Sequence, residues 1–144
     1  MYNCILVPVD GSDLSMDALM LAAELVSGDA PTLELLHVPE HAPTGEELGH
    51  WSGTPGAADD RGIEQAALDL LDQAAGAVAD RGIRVNSNVL WAPPARAIVD
   101  HAAELDVDAI VMGSRGLSDL KGLFLGSVSH RVLHTAGCRV ILIR

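Results

Sequence analysis

Five short apolar runs, separated by stretches whose apolar residues recur every three to four positions, set the narrowest limit on how this chain can fold. The runs are Cys4–Val9 (CILVPV), Thr32–Val38 (TLELLHV), Ile83–Leu90 (IRVNSNVL), Ala109–Met112 (AIVM) and Cys138–Ile143 (CRVILI). Each has the length and side-chain types of a strand. Between them, Leu14, Ala18, Leu21, Ala22 and Leu25 form one helical stripe, and Ala67, Leu70, Leu71, Ala74 and Val78 a second. Ile98, Ala102 and Leu105 form a third, and Val128, Val132 and Leu133 face inward from a fourth helix across Ser127–Thr135. The order β-α-β-α-β-α-β-α-β predicts an α/β domain, with right-handed crossovers feeding a parallel sheet covered on both faces. The first, fourth and fifth runs are nearly continuous in apolar residues, as strands buried on both faces should be, whereas the third alternates and belongs at an edge. Gly82 and Gly137 follow helices, where a left-handed cap is expected.

The 144 residues suit one domain spanning 1–144 rather than two. Aromatic residues make up only 3% of the chain, so the core must be aliphatic. One segment breaks the alternation: residues 39–60 (PEHAPTGEELGHWSGTPGAADD) hold three prolines and four glycines and sustain no period. Connections of that length are usually lids, binding loops or disordered segments, and this one is read as a flexible loop. Its Trp51 either closes over a ligand or rests on the nearest apolar surface.

The net charge of −11 argues against a nucleic-acid partner, which requires a basic surface to displace counterions. Its distribution is more telling. Residues 1–110 carry 4 basic and 19 acidic side chains, a balance of −15, whereas residues 111–144 carry Arg115, Lys121, Arg131, Arg139 and Arg144 against Asp119 alone. An anion is drawn to the last quarter of the chain. No apolar run approaches the roughly 20 residues of a membrane span, and MYNCILVPVDGS lacks the features of a signal peptide. Two cysteines cannot build a disulfide framework, so a soluble cytoplasmic protein with no membrane partner is expected.

In an open parallel sheet, ligands bind beyond the carboxyl ends of the strands where the winding reverses. Pro8-Val9-Asp10-Gly11-Ser12 follows the first run, and Gly113-Ser114-Arg115-Gly116 the fourth, with Gly126-Ser127-Val128-Ser129 entering the last helix. Glycines let the backbone approach a phosphate closely and take positive φ, so that several N–H groups point at one anion. The helix starting near Ser127 adds free N–H groups and a positive dipole end. Ser127 and Ser129 each offer a hydroxyl, and Arg115 and Lys121 supply charge. Read from chemistry alone, the alternative stands level: the glycines only turn the chain and Ser127 is an ordinary cap.

Gly113, Gly116, Gly126 and Ser127 are spaced G-x2-G-x9-G-S directly after a strand ending Val-Met. With the opening ILVPVDGS, LLHV ending the second run, Pro-Ala-Arg-Ala-Ile opening the third helix, VDAIVMGSRG and FLGSVSHRVL, nearly the entire chain resembles the universal stress protein family, in its ATP-binding branch. The resemblance implies a doubly wound five-stranded sheet of order 3-2-1-4-5. It places Pro8, Val9 and Val38 beside adenine, Asp10 at the ribose or a metal-bound water, and Met112 and Gly113 along the ribose. Ser114, Arg115 and Gly116 begin the phosphate loop, while Gly126, Ser127, Val128 and Ser129 hold the phosphates. It further implies ATP with Mg²⁺ carried on the phosphates rather than by protein ligands, and a homodimer joined through residues 138–143. This chain departs from the pattern at Ala92-Pro93-Pro94, where many members have glycine two positions before the proline. A methyl group there narrows the approach to adenine, and the adjacent Trp91 either stacks near the base or closes the end of the core.

Other constellations have simpler readings. His130 and His134 share a helix face but have no evident third ligand, and His37 is read as a packed, hydrogen-bonded histidine. Asp13 and Asp17 share a helix face and suit capping and solvation. No catalytic residue is evident: phosphoryl transfer needs a positioned nucleophile and metal ligands beside the phosphate cradle. The expected function is a stress-response sensor whose nucleotide occupancy controls dimer or loop state and is read by an unknown protein partner. A slow ATPase and a nucleotide-free dimeric module are the alternatives.

Overall fold

Strands β1 (Cys4–Pro8), β2 (Thr32–His37), β3 (Arg84–Val89), β4 (Ala109–Gly113) and β5 (Arg139–Ile143) form one parallel sheet of order β3-β2-β1-β4-β5. Helices α1 (Asp13–Leu25), α2 (Ala57–Gly76), α3 (Pro94–Glu104) and α4 (Ser127–Thr135) make the crossovers. The computed structural model describes residues 1–39, 57–117 and 125–144, with residues 57–60 as helix backbone alone. Strand order, the edge position of β3 and the limits of α4 agree with expectation. The segment expected to be a loop over 39–60 gives up its end to α2, which begins at Ala57. Trp51 and Lys121 lie outside the described residues.

Alternation along each strand divides the core into two aliphatic layers. Ile5, Val7, Leu33, Leu35 and Val111 face α1 and α2, where Leu19, Ala22, Leu71 and Val78 are buried. Leu6, Leu36, Ile110 and Met112 face α3 and α4, meeting Ile98, Ala102 and Val132. Burying side chains of this size contributes roughly 1.5–3 kcal/mol each, which makes these layers the main support of the sheet.

Four expectations fail in detail. Leu105 and Leu133 are 41% and 43% exposed, so they sit at the margins of their stripes rather than in the core. Gly82 adopts the expected left-handed conformation (φ +69°), but Gly137 does not, and α4 ends on Ala136 in extended conformation. The continuous apolar run of β5 is an edge strand in which no residue is fully buried. Cys138 precedes β5 instead of lying in it.

Candidate functional site

The sheet order puts β1 and β4 side by side, while their following helices leave in opposite directions. β1 leads through α1 to β2, and β4 through α4 to β5. A crevice therefore opens where these two strands end. Its volume is about 440 Å³.

On the β1 side the chain is held by its own short side chains. Gly11 takes φ +86°, a conformation suited to glycine, and an added Cβ would stand 3.0 Å from Leu70 Cδ1. Ser12 caps α1 by accepting from the Ser15 amide at 3.2 Å, and the Ser15 hydroxyl donates back to the Ser12 carbonyl at 2.9 Å. Asp10 reaches across the crevice: its Oδ1 accepts from the Ser12 amide at 2.9 Å and its Oδ2 from the Leu117 amide at 3.3 Å. This carboxylate ties the turn after β1 to the turn after β4.

On the β4 side, Ser114 is the pivot. Its amide donates to the Ile143 carbonyl at 2.7 Å, and its carbonyl accepts from both the Gly126 amide and the Ser129 hydroxyl at 2.6 Å. Ser129 also reaches the Gly126 carbonyl at 3.1 Å. The Ser129 proton, expected to be offered to a phosphate, is thus spent fixing the start of α4 against the end of β4. The glycines likewise serve a different purpose from the positive φ expected of them. Gly126 is extended (φ −72°, ψ 164°), and Gly113 is needed for close approach, because a Cβ there would lie 2.9 Å from Leu14 Cβ.

Gly126 contributes no capping side chain, and among the described residues no side-chain hydrogen bond caps the first turn of α4. Free N–H groups and a positive dipole end therefore face the crevice from a helix whose Ser127, Val128 and Ser129 line it. Arg115 and Gly116 form the adjoining wall.

The rest of the lining is largely apolar: Val38, Met112 and Ile98, which pack in the layer of α3 and α4, and Ile63, Ala67 and Leu70 of α2, with Pro8, Val9 and Gly113. Of the residues expected at the site, Ser114 and Gly126 stand behind the wall rather than in it. Ala92 and Trp91 are not in the wall either, and Trp91 is 47% exposed. Trp91 is thus too exposed to close the end of the core.

Sequence reasoning assigned no site role to α2, although Ile63, Ala67 and Leu70 extend its apolar stripe toward the helix start. His37, expected as a packed, hydrogen-bonded histidine, has that hydrogen bond, but it also faces the crevice. Its Nδ1 lies 2.7 Å from the Val9 carbonyl. His130 and His134 stack with ring centroids 4.4 Å apart, and no group of three metal-ligating side chains occurs among the described residues. Burial, with the Glu34 and Asp108 carboxylates nearby, raises the Cys4 thiol pKa. Burial also raises that of Cys138, against backbone hydrogen bonds that lower it.

A doubly wound α/β domain with a crevice at its switch point belongs to the class in which ligands bind beyond the carboxyl ends of the strands. Within that class, the family model described as the universal stress protein family matches residues 1–144, and the chain belongs to that family. Universal stress protein YxiE of Bacillus subtilis is 36% identical over 148 residues, covering 100% of both chains. Among solved structures, universal stress protein UspA from Lactobacillus plantarum superposes with a TM-score of 0.81 at 26% identity, over 99% of this chain and 98% of that one. The universal stress protein from Archaeoglobus fulgidus in complex with dAMP gives a TM-score of 0.70 at 26% identity, over 99% and 98%. No helix among the described residues is long and apolar enough to cross a membrane.

Proposed function

We propose that this chain is an adenine-nucleotide-binding stress sensor, with ATP as its ligand and Mg²⁺ carried on the phosphates. The observation that carries this reading is the start of α4, without a capping side chain at Gly126, opening on a crevice whose remaining lining is largely apolar. The amides of Ser127, Val128 and Ser129, with Arg115 beside them, suit a phosphate chain; the apolar lining suits a base. The dAMP complex of the Archaeoglobus fulgidus relative supports the choice of adenine. Magnesium would neutralise phosphate charge that the acidic remainder of the chain repels.

The reading is of binding rather than turnover. Asp10 is the carboxylate of the crevice wall, and two backbone amides engage its oxygens, which suits a brace better than a general base. A bound nucleotide touching both Asp10-linked turns biases how they sit, and a protein partner reads that state in the cytoplasm. The edge position of β5 supports a homodimer through residues 138–143, since an apolar edge invites pairing. Titration calorimetry of the chain with ATP and magnesium chloride tests the reading. Saturable heat is expected, and no heat with any adenine nucleotide at millimolar concentration refutes it.

A further inference from the structure

We propose that His37 selects the base: its Nε2 is a fixed hydrogen-bond acceptor that favours a purine with a 6-amino group over one with a 6-oxo group. The proposal rests on the nucleotide reading above and adds a specificity residue to it.

The Val9 carbonyl can only accept, so the 2.7 Å contact requires a proton on His37 Nδ1. In the neutral ring, Nε2 is then an acceptor, on the far side of the ring from β1. The ring cannot easily turn away. His37 ends β2, its carbonyl accepts from the Leu90 amide at 3.1 Å, and the neighbouring Val9 amide is bound to the Leu36 carbonyl at 2.9 Å.

The other polar side chains of the crevice wall narrow the choice. Both Asp10 oxygens accept from backbone amides, Ser12 Oγ accepts from the Ser15 amide, the Ser15 hydroxyl donates to the Ser12 carbonyl, and the Ser129 proton goes to backbone carbonyls. Among the described residues, no hydrogen bond engages the side chains of His37 Nε2, Arg115 or Ser127. Arg115 and Ser127 belong to the β4–α4 end. His37 stands on β2, two strand spacings or about 10 Å away, next to Val38 in the crevice lining. A base lodged there meets His37 Nε2, an acceptor with no hydrogen bond among the described residues. A 6-amino group donates to it, whereas a 6-oxo group sets acceptor against acceptor.

Calorimetry with ATP and ITP, each with magnesium, tests this in the full chain. ATP is expected to bind about tenfold more tightly than ITP, the weight of one hydrogen bond. His37→Asn keeps a donor for Val9 while deleting Nε2; it should lose the ATP preference through weaker ATP binding, with a melting temperature near that of the parent. His37→Gln restores an acceptor near the Nε2 position and should retain the preference. Equal affinity of the parent for both nucleotides, or an undiminished ratio in His37→Asn, overturns the role of His37 while leaving nucleotide binding intact. Absence of binding to either nucleotide overturns both.

Discussion

Gly113 and Leu14 meet where β4 ends and α1 begins, so closely that a Cβ on Gly113 would stand 2.9 Å from Leu14 Cβ and 3.3 Å from the Arg115 carbonyl oxygen. The contact lets α1 settle against the central strands at the crevice, and neither neighbour is the far end of a flexible side chain. Gly113→Ala should destabilise the fold by about 1–3 kcal/mol, the usual cost of overpacking. Gly137→Ala is the control: no atom lies within 4 Å of its added Cβ, and its φ is not positive. Urea denaturation of both variants checks this, and equal stability would show that Leu14 yields freely.

Ser127→Pro removes one N–H from the crevice at the first position of α4, where proline is well tolerated. Gly126 already has the extended conformation (ψ 164°) that a residue preceding proline requires. Nucleotide affinity should fall by about ten- to a hundredfold, the worth of a hydrogen bond to a charged group. The melting temperature without ligand should barely move. Calorimetry and thermal scans on the same preparation separate the two effects.

Both thiols are held above their ordinary range, Cys4 chiefly by burial and then by Glu34 and Asp108, and Cys138 chiefly by burial. The folded state therefore grips these protons more tightly than the unfolded chain does. Stability from this source is present below the unfolded thiol pKa and is lost as pH rises through the folded one. Alkylation by iodoacetamide should accelerate at a higher pH in the native protein than in urea. Coincident profiles would contradict the shift.

Ile141→Lys places a charge in the edge strand, the device by which natural sheets discourage pairing. Sedimentation velocity should show the parent as a dimer and the variant at about half its mass, with circular dichroism confirming that the variant stays folded. A monomeric parent would rule out association through residues 138–143.

Much of this fold was legible because its signals are local. The period of the apolar residues and the Gly126-Ser127 junction give the limits of α4, and the alternation in β3 gives its place at an edge. What escaped depended on distant partners. Nothing near Gly113 in the chain indicates that Leu14 will press on it, and nothing near Ser129 shows that the Ser114 carbonyl will claim its proton. β5 reads as buried because an apolar run reports that cover is wanted, not what supplies it. Leu105 and Leu133 fall within a helical period yet lie at the margins of their stripes, beside the buried Ala102 and Val132.

The bare start of α4 has a consequence for how rigid the molecule is. A helix without a capping side chain completes its opening turn with whatever acceptor the surroundings provide, and water is a loose one. An anion seated there would slow hydrogen exchange of the amides at 127–129 and stiffen the junction with Ser114. The stiffness of this corner is thus set by the medium as much as by the gene.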